Sequence, residues 1–141
     1  MAAAIKFNQF VEDSYEKVHN LGADTLKVAL SNVAPGAANS VFLDITEIAA
    51  GLGYTAGGTQ STQSSSVQTA GVYKLVLADV TFTAAGGSIG PFRYPVLYND
   101  TPTSPADPLI LNWDYGIGIT ITDGNSFTVD FSATNGVLTH T

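Results

Sequence analysis

Two histidines, His19 and His140, and no cysteine leave the chain with almost none of the side chains suited to proton transfer, metal ligation or nucleophilic attack near neutral pH. A general base needs a partner within hydrogen-bond reach. His19 falls in an N-terminal helical pattern, and His140 is the penultimate residue, where chain ends fray unless tied down. Neither has a nucleophile beside it, and both read as non-catalytic. Glycoside hydrolysis would need two acids about 5–9.5 Å apart. Asp114 beside Trp113, and Asp130 between Val129 and Phe131, instead fall on the polar sides of alternating strands. Asp123-Gly124-Asn125 and Asn99-Asp100 offer oxygen ligands, but no calcium loop with acids at alternate positions and a closing Glu surrounds them. Gly51-Leu52-Gly53 and Gly57-Gly58 lack the neighbours of a nucleotide-binding loop and read as turn glycines. The expectation is a chain with no catalytic residue, no metal site and no cofactor, and therefore not an enzyme.

The charge balance restricts partners. Twelve carboxylates against five Lys/Arg give a net charge of −7, which repels nucleic-acid phosphates and anionic membranes. The bases Lys6, Lys17, Lys27, Lys74 and Arg93 are too dispersed to build a basic patch, so neither nucleic acid nor membrane is expected as a partner. Charged residues make up 12% of the chain, against about 25% in ordinary soluble domains, and Thr, Ser, Gly and Asn replace them. Two explanations stand: a hydroxyl-coated β domain, or a surface covered by neighbouring subunits, where charge would have to be desolvated. The first residues lack the basic and apolar regions of a secretory signal. No apolar run approaches the ~20 residues of a transmembrane helix.

The elements that position these residues are mostly strands, in one expected domain spanning 1–141. Phe7, Phe10, Val11, Ser14, Val18 and Leu21 recur at helical spacing, predicting a helix over 7–21 stopped by Gly22. From Thr25 the period changes to two, and a β-sandwich over 25–141 is expected. Leu26, Val28 and Leu30 alternate. Asp44–Gly51 resembles a helical turn, against the strand preference of Ile45, Thr46 and Ile48. The Ser/Thr/Gln run at 59–66 suits either an edge strand or a long surface excursion. Strands follow at 72–77, 80–83 and 92–98, with Pro95 pointing to an edge or bulge. Leu109, Leu111, Trp113 and Tyr115 alternate on one face. Ile117, Ile119 and Ile121, then Phe127, Val129 and Phe131, flank Asp123-Gly124 as a hairpin would. A last strand is expected over 136–140. The pattern predicts a mainly β fold, an antiparallel sandwich or barrel of jelly-roll type with one N-terminal α-helix.

Aromatic residues are the remaining candidates. Phe92, Tyr94, Tyr98, Trp113 and Tyr115 cluster near Arg93, the only arginine. About half should be core, Trp113 and Phe92 among them. Tyr and Arg are favoured at interface centres, so Arg93, Tyr94 and Tyr98 join Phe7, Phe10 and Val11 as candidate contact residues. An aromatic strip with nearby Asp side chains would also suit a carbohydrate-binding module.

Several stretches resemble a family of small tailed-phage virion proteins: Lys6-Phe7-Asn8-Gln9-Phe10-Val11-Glu12-Asp13 with Lys17-Val18-His19-Asn20-Leu21-Gly22, then Asp24–Asn32 leading to Ala34-Pro35. Ile45-Thr46-Glu47-Ile48, Gly53–Gly58, Gly90-Pro91-Phe92-Arg93-Tyr94 and Tyr98-Asn99-Asp100 extend the likeness over nearly the whole chain. The run at 59–66 departs from it. The resemblance implies a capsid decoration (cement) protein: a homotrimer bound over junctions of the major capsid protein on the outer capsid surface, after synthesis in the host cytoplasm. A tail, neck or head-fibre component is the alternative within the virion.

Overall fold

A computed structural model describes residues 2–141. The chain opens with β1 (Ala4–Lys6) and α1 (Gln9–Tyr15), then runs into β2 (Leu26–Ser31). A long excursion with a 3-10 turn at Phe42–Asp44 leads to β3 (Thr59–Ser61), β4 (Gln63–Thr69), β5 (Val72–Leu77) and β6 (Val80–Thr83). The remaining strands are β7 (Ile89–Phe92), β8 (Tyr94–Asn99), β9 (Leu109–Trp113), β10 (Ile119–Ile121), β11 (Ser126–Val129) and β12 (Leu138–His140). All sheet pairings are antiparallel, giving the expected mainly β, sandwich-like fold with one helix near the N-terminus. The five-stranded sheet has the order β1-β9-β8-β2-β3, and the smaller pieces are β10-β7, β11-β6 and β12-β5-β4.

The main core lies between the large sheet and these pieces. Leu26, Val28, Leu30, Leu97, Leu111 and Trp113 meet Leu75, Leu77, Val80, Phe82, Phe92, Ile121, Val129 and Phe131 there. The large sheet is buried on its other face as well. Phe7, Ala29, Val96, Tyr98 and Leu109 form a second cluster, covered by Phe42 and Ile45 of the excursion. The Phe42 and Tyr98 rings stack with centroids 4.3 Å apart.

The helix is shorter than 7–21. Lys17 takes a left-handed φ of 65°, and the Val18 N–H donates to Asp13 O at 3.0 Å. This closes the helix in the manner of a Schellman cap, well before Gly22. Residues 20–24 then form a separate turn, with the Asn20 N–H donating to Asp24 Oδ2 at 2.8 Å. The helical turn expected at 44–51 is also replaced. Ile45 is extended, at φ −94° and ψ 137°, and Glu47 bridges to Ser31, in line with the β-branched content there.

The expected hairpin around Asp123-Gly124 does not form, because β10 pairs with β7 and β11 pairs with β6. The turn is a corner at which the chain changes partner. It is fastened to a neighbouring loop by Gly124 N–H to Ala84 O at 2.9 Å and Gly86 N–H to Asp123 Oδ1 at 2.9 Å. In β9 the register slips between Leu97↔Leu111 and Tyr98↔Leu109, leaving Ile110 as a bulge. Leu109 therefore joins the second cluster while Leu111 and Trp113 face the main core. Pro95 lies in a central strand and not at an edge. It sits opposite Leu30, one residue outside the β8–β9 register, so its missing N–H removes no bond from that ladder. The run at 59–66 contributes two strands, β3 and the start of β4, each at an open sheet edge.

Gly58 shows how closely the excursion approaches the large sheet. Its φ is +79°, and a Cβ built there would lie 1.9 Å from Val28 O. Gly71 has nearly the same backbone, at φ +81°, but open space around it. Gly71→Ala should cost only the left-handed penalty, about 1–2 kcal/mol. Gly58→Ala adds a backbone collision and should cost more than about 3 kcal/mol, a difference readable by urea unfolding of the two variants.

Candidate binding surface

The residues proposed for contact divide into two groups. Phe7 and Tyr98 are buried in the protein's own core, and Phe10, 8% exposed, packs into it while bordering the groove beside α1. Phe7 follows β1 directly and turns into the second cluster, while Phe10 is the α1 residue that faces the main core. Tyr98 points inward because β8 is covered on both faces, and its hydroxyl donates to Gly57 O at 2.6 Å. Burial and nearby carboxylates push its ionisation above the ordinary tyrosine range.

Val11, Arg93 and Tyr94 remain at the surface or half-buried. Arg93 forms a two-point pair with Asp114, Nε to Oδ1 at 2.6 Å and an Nη to Oδ2 at 3.0 Å, with Tyr94 5.3 Å from the guanidinium carbon. Asp114 also accepts the Gly116 N–H at 2.7 Å. Hydrogen bonding to Arg93 holds the Asp114 carboxyl below the usual range and the guanidinium above its own. Asp114 is thus engaged, and Trp113 beside it is buried in the core. The aromatic strip proposed for glycan therefore loses Trp113, and Tyr115 packs edge-on against Phe127 with ring centroids 5.4 Å apart. Asp123 braces its own corner. Among the described residues no group of three or more His, Asp or Glu side chains is placed to hold a metal ion.

Both histidines come to one place, which their separation along the chain concealed. A groove of about 780 Å³ runs between α1, the 19–22 turn, β1 and β12, and both His19 and His140 line it. The Tyr15 hydroxyl and His140 Nε2 share a hydrogen bond of 2.8 Å, linking the helix to the last strand. His19 packs its ring against Phe10 at 5.2 Å. Asn99 fixes its tautomer. The Asn99 carbonyl accepts the Thr101 N–H, while its Nδ2 donates to Asp24 Oδ2 at 2.6 Å and reaches His19 Nδ1 at 3.1 Å. Nδ1 is therefore an acceptor, and neutral His19 carries its proton on Nε2. That N–H is buried and has no acceptor among the described residues.

The other notable feature is the outer coat. Thr81 and Thr128 share a hydroxyl bond of 2.9 Å across β6–β11, and Thr83 and Ser126 share one of 2.7 Å. These cross-strand hydroxyl pairs occupy positions where many sheets place opposite charges. Among the described residues only Lys27–Asp100 and Arg93–Asp114 form side-chain ion pairs. Large apolar side chains also stand clear of the core. Leu43 is 91% exposed, Tyr15 70% and Ile117 70%. Leu43 sits on a braced turn, since Asp44 Oδ2 accepts the Ser40 N–H at 2.9 Å and the Val41 N–H at 3.2 Å. These bonds hold the exposed Asp44 carboxyl below its usual range.

Neither a family model, nor a curated protein, nor a solved structure gives a significant match to this chain.

Burial lowers the His19 pKa, and the opposing pull of Asp13 and Asp24 is smaller. The unfolded chain thus takes up a proton near pH 6.5 that the native protein still refuses. Stability should fall as pH drops through about 6.5 toward the lower native value, then level off. In His19→Gln the side-chain carbonyl can still accept from Asn99. Thermal melts between about pH 7.5 and 5 should show a steeper acid loss for the parent than for this variant.

Proposed function

We propose that this chain is a non-enzymatic virion structural protein, a capsid decoration subunit that binds over junctions of the major capsid protein and stabilises the head. The carrying observation is the character of the surface: paired hydroxyls in place of charge, with large apolar side chains held out from it. Covering charge costs desolvation, whereas covering hydroxyls that already bond one another costs much less. Leu43 supports the reading because its turn is fixed in advance, so less ordering entropy is lost on contact. The resemblance of the quoted segments to tailed-phage virion proteins supplies the kind of partner. In this reading the protein assembles as a homotrimer on the outer surface of the shell.

Each contact need not be large. At roughly 25 cal/mol per Å² of apolar surface, a few hundred Å² repeated over a lattice outweighs its modest worth at one site, even after association costs. Particles lacking this protein should lose heat and salt resistance and regain it when purified protein is added back. Leu43→Asp should reduce retention on particles without lowering the melting temperature of the free protein. If added protein does not bind particles, or binds without changing their resistance, the decoration role is wrong. A copy number that does not scale with the capsid subunits would instead place the protein in the tail, neck or a head fibre.

A further inference from the structure

We propose that the groove between β1 and β12 receives an extended segment of a partner protein whose side chains alternate between apolar and acidic. This rests on the partner-binding reading above and assigns it a site. Two features of the groove carry it.

The first is topology. β1 is the terminal strand of the five-stranded sheet, β12 is the terminal strand of the three-stranded one, and both border this groove. Phe7 N–H donates to Ile110 O, so alternate residues of β1 face β9 while Ala4 and Lys6 direct their backbone groups away from it. An open sheet edge recognises an extended chain through main-chain hydrogen bonds, with alternate side chains entering adjacent pockets. The α1 side chains Val11 and Tyr15 form a third wall, and Leu138 lies within the apolar lining. The volume falls in the range of binding clefts, roughly 300–1,000 Å³.

The second is charge. The protein carries twelve side-chain carboxylates, yet none lines this groove, whereas the Lys6 ammonium does. Asp13 and Asp24 act on His19, but neither reaches the groove wall. An acidic segment would meet the Lys6 ammonium here and no carboxylate in the lining, on a molecule whose net charge otherwise repels it.

Nitrogen-15-labelled full-length protein can be titrated with a capped peptide alternating valine and glutamate, and separately with its valine–lysine counterpart. The valine–glutamate peptide should shift the Lys6 and His140 amides and slow their hydrogen exchange. The lysine peptide should leave them unchanged. Lys6→Glu, at an exposed position without an ion pair, should weaken peptide binding at least tenfold while leaving the melting temperature unaltered. Equal responses to both peptides, or a response confined to β3 and β4, would overturn the proposal. So would concentration-dependent association of the protein alone that Lys6→Glu abolishes, because the occupant would then be a second copy. Peptide binding without particle binding would defeat the decoration reading and leave the groove assignment standing. Particle binding with no peptide response would do the reverse.

Discussion

The structure depends on how the edge of β2 is satisfied where β3 ends. The β2–β3 register stops at Val28↔Thr59, leaving the Leu30 N–H and C=O without a strand partner on that side. The buried Tyr54 hydroxyl accepts the Leu30 N–H at 3.0 Å, and the Ile48 N–H donates to Leu30 O at 3.0 Å. Tyr54 in turn donates to Glu47 Oε1 at 2.7 Å, and the same oxygen accepts the Gly57 N–H at 2.6 Å. Such bonds are each worth about 1 kcal/mol net, but a buried amide left unpaired costs about 1–3 kcal/mol. Burial, reinforced by the hydrogen bond to Glu47, pushes the phenol far above its ordinary range, so it stays a neutral donor. Through this knot the excursion between β2 and β3 is held against the large sheet. The knot shares this work with the Val41–Pro108 bridge and the Phe42 N–H to Asp107 O bond of 2.9 Å, which seat Phe42 and Ile45 over Tyr98 and Leu109.

A sheet covered on both faces explains why β8 and β9 read as nearly continuous apolar runs. It also explains the fate of Tyr98 and Phe7. Aromatic residues near an arginine are reasonable interface candidates when one sheet face is assumed to be free. Here the excursion takes that face. The exposed apolar side chains lie instead on the braced turn at Leu43 and in the groove beside α1, where Val11, although part of the helical stripe, and Tyr15 are exposed.

Local patterns were readable in the sequence where a strand's environment repeats regularly. Leu26, Val28 and Leu30 alternate, and 72–77 and 80–83 match β5 and β6. What was not readable depends on single residues or distant partners. Lys17 ends the helix by adopting a conformation usually left to glycine or asparagine, which periodicity cannot reveal. The Ile110 bulge inverts the side to which Leu109 points. Asp123-Gly124 announces a turn but not whether the flanking strands pair with each other or with β6 and β7. The groove was least visible of all. His19 and His140 lie at opposite ends of the chain and share a wall only because β12 returns to pair with β5, opposite Leu75, Lys74 and Tyr73.

The edges of β1 and β12 also need protection from pairing with other copies of the chain, since exposed edges invite uncontrolled pairing. Both edges are only three residues long, Ala4–Lys6 and Leu138–His140, and Lys6 sits on one of them. Each is too short to hold a strand alone, and a lysine at an edge disfavours like edges. Two short edges facing a common groove differ from one long edge, because only a segment that engages both sides gains the full set of contacts. The same geometry that protects the free protein therefore sets the selectivity for what can fill it.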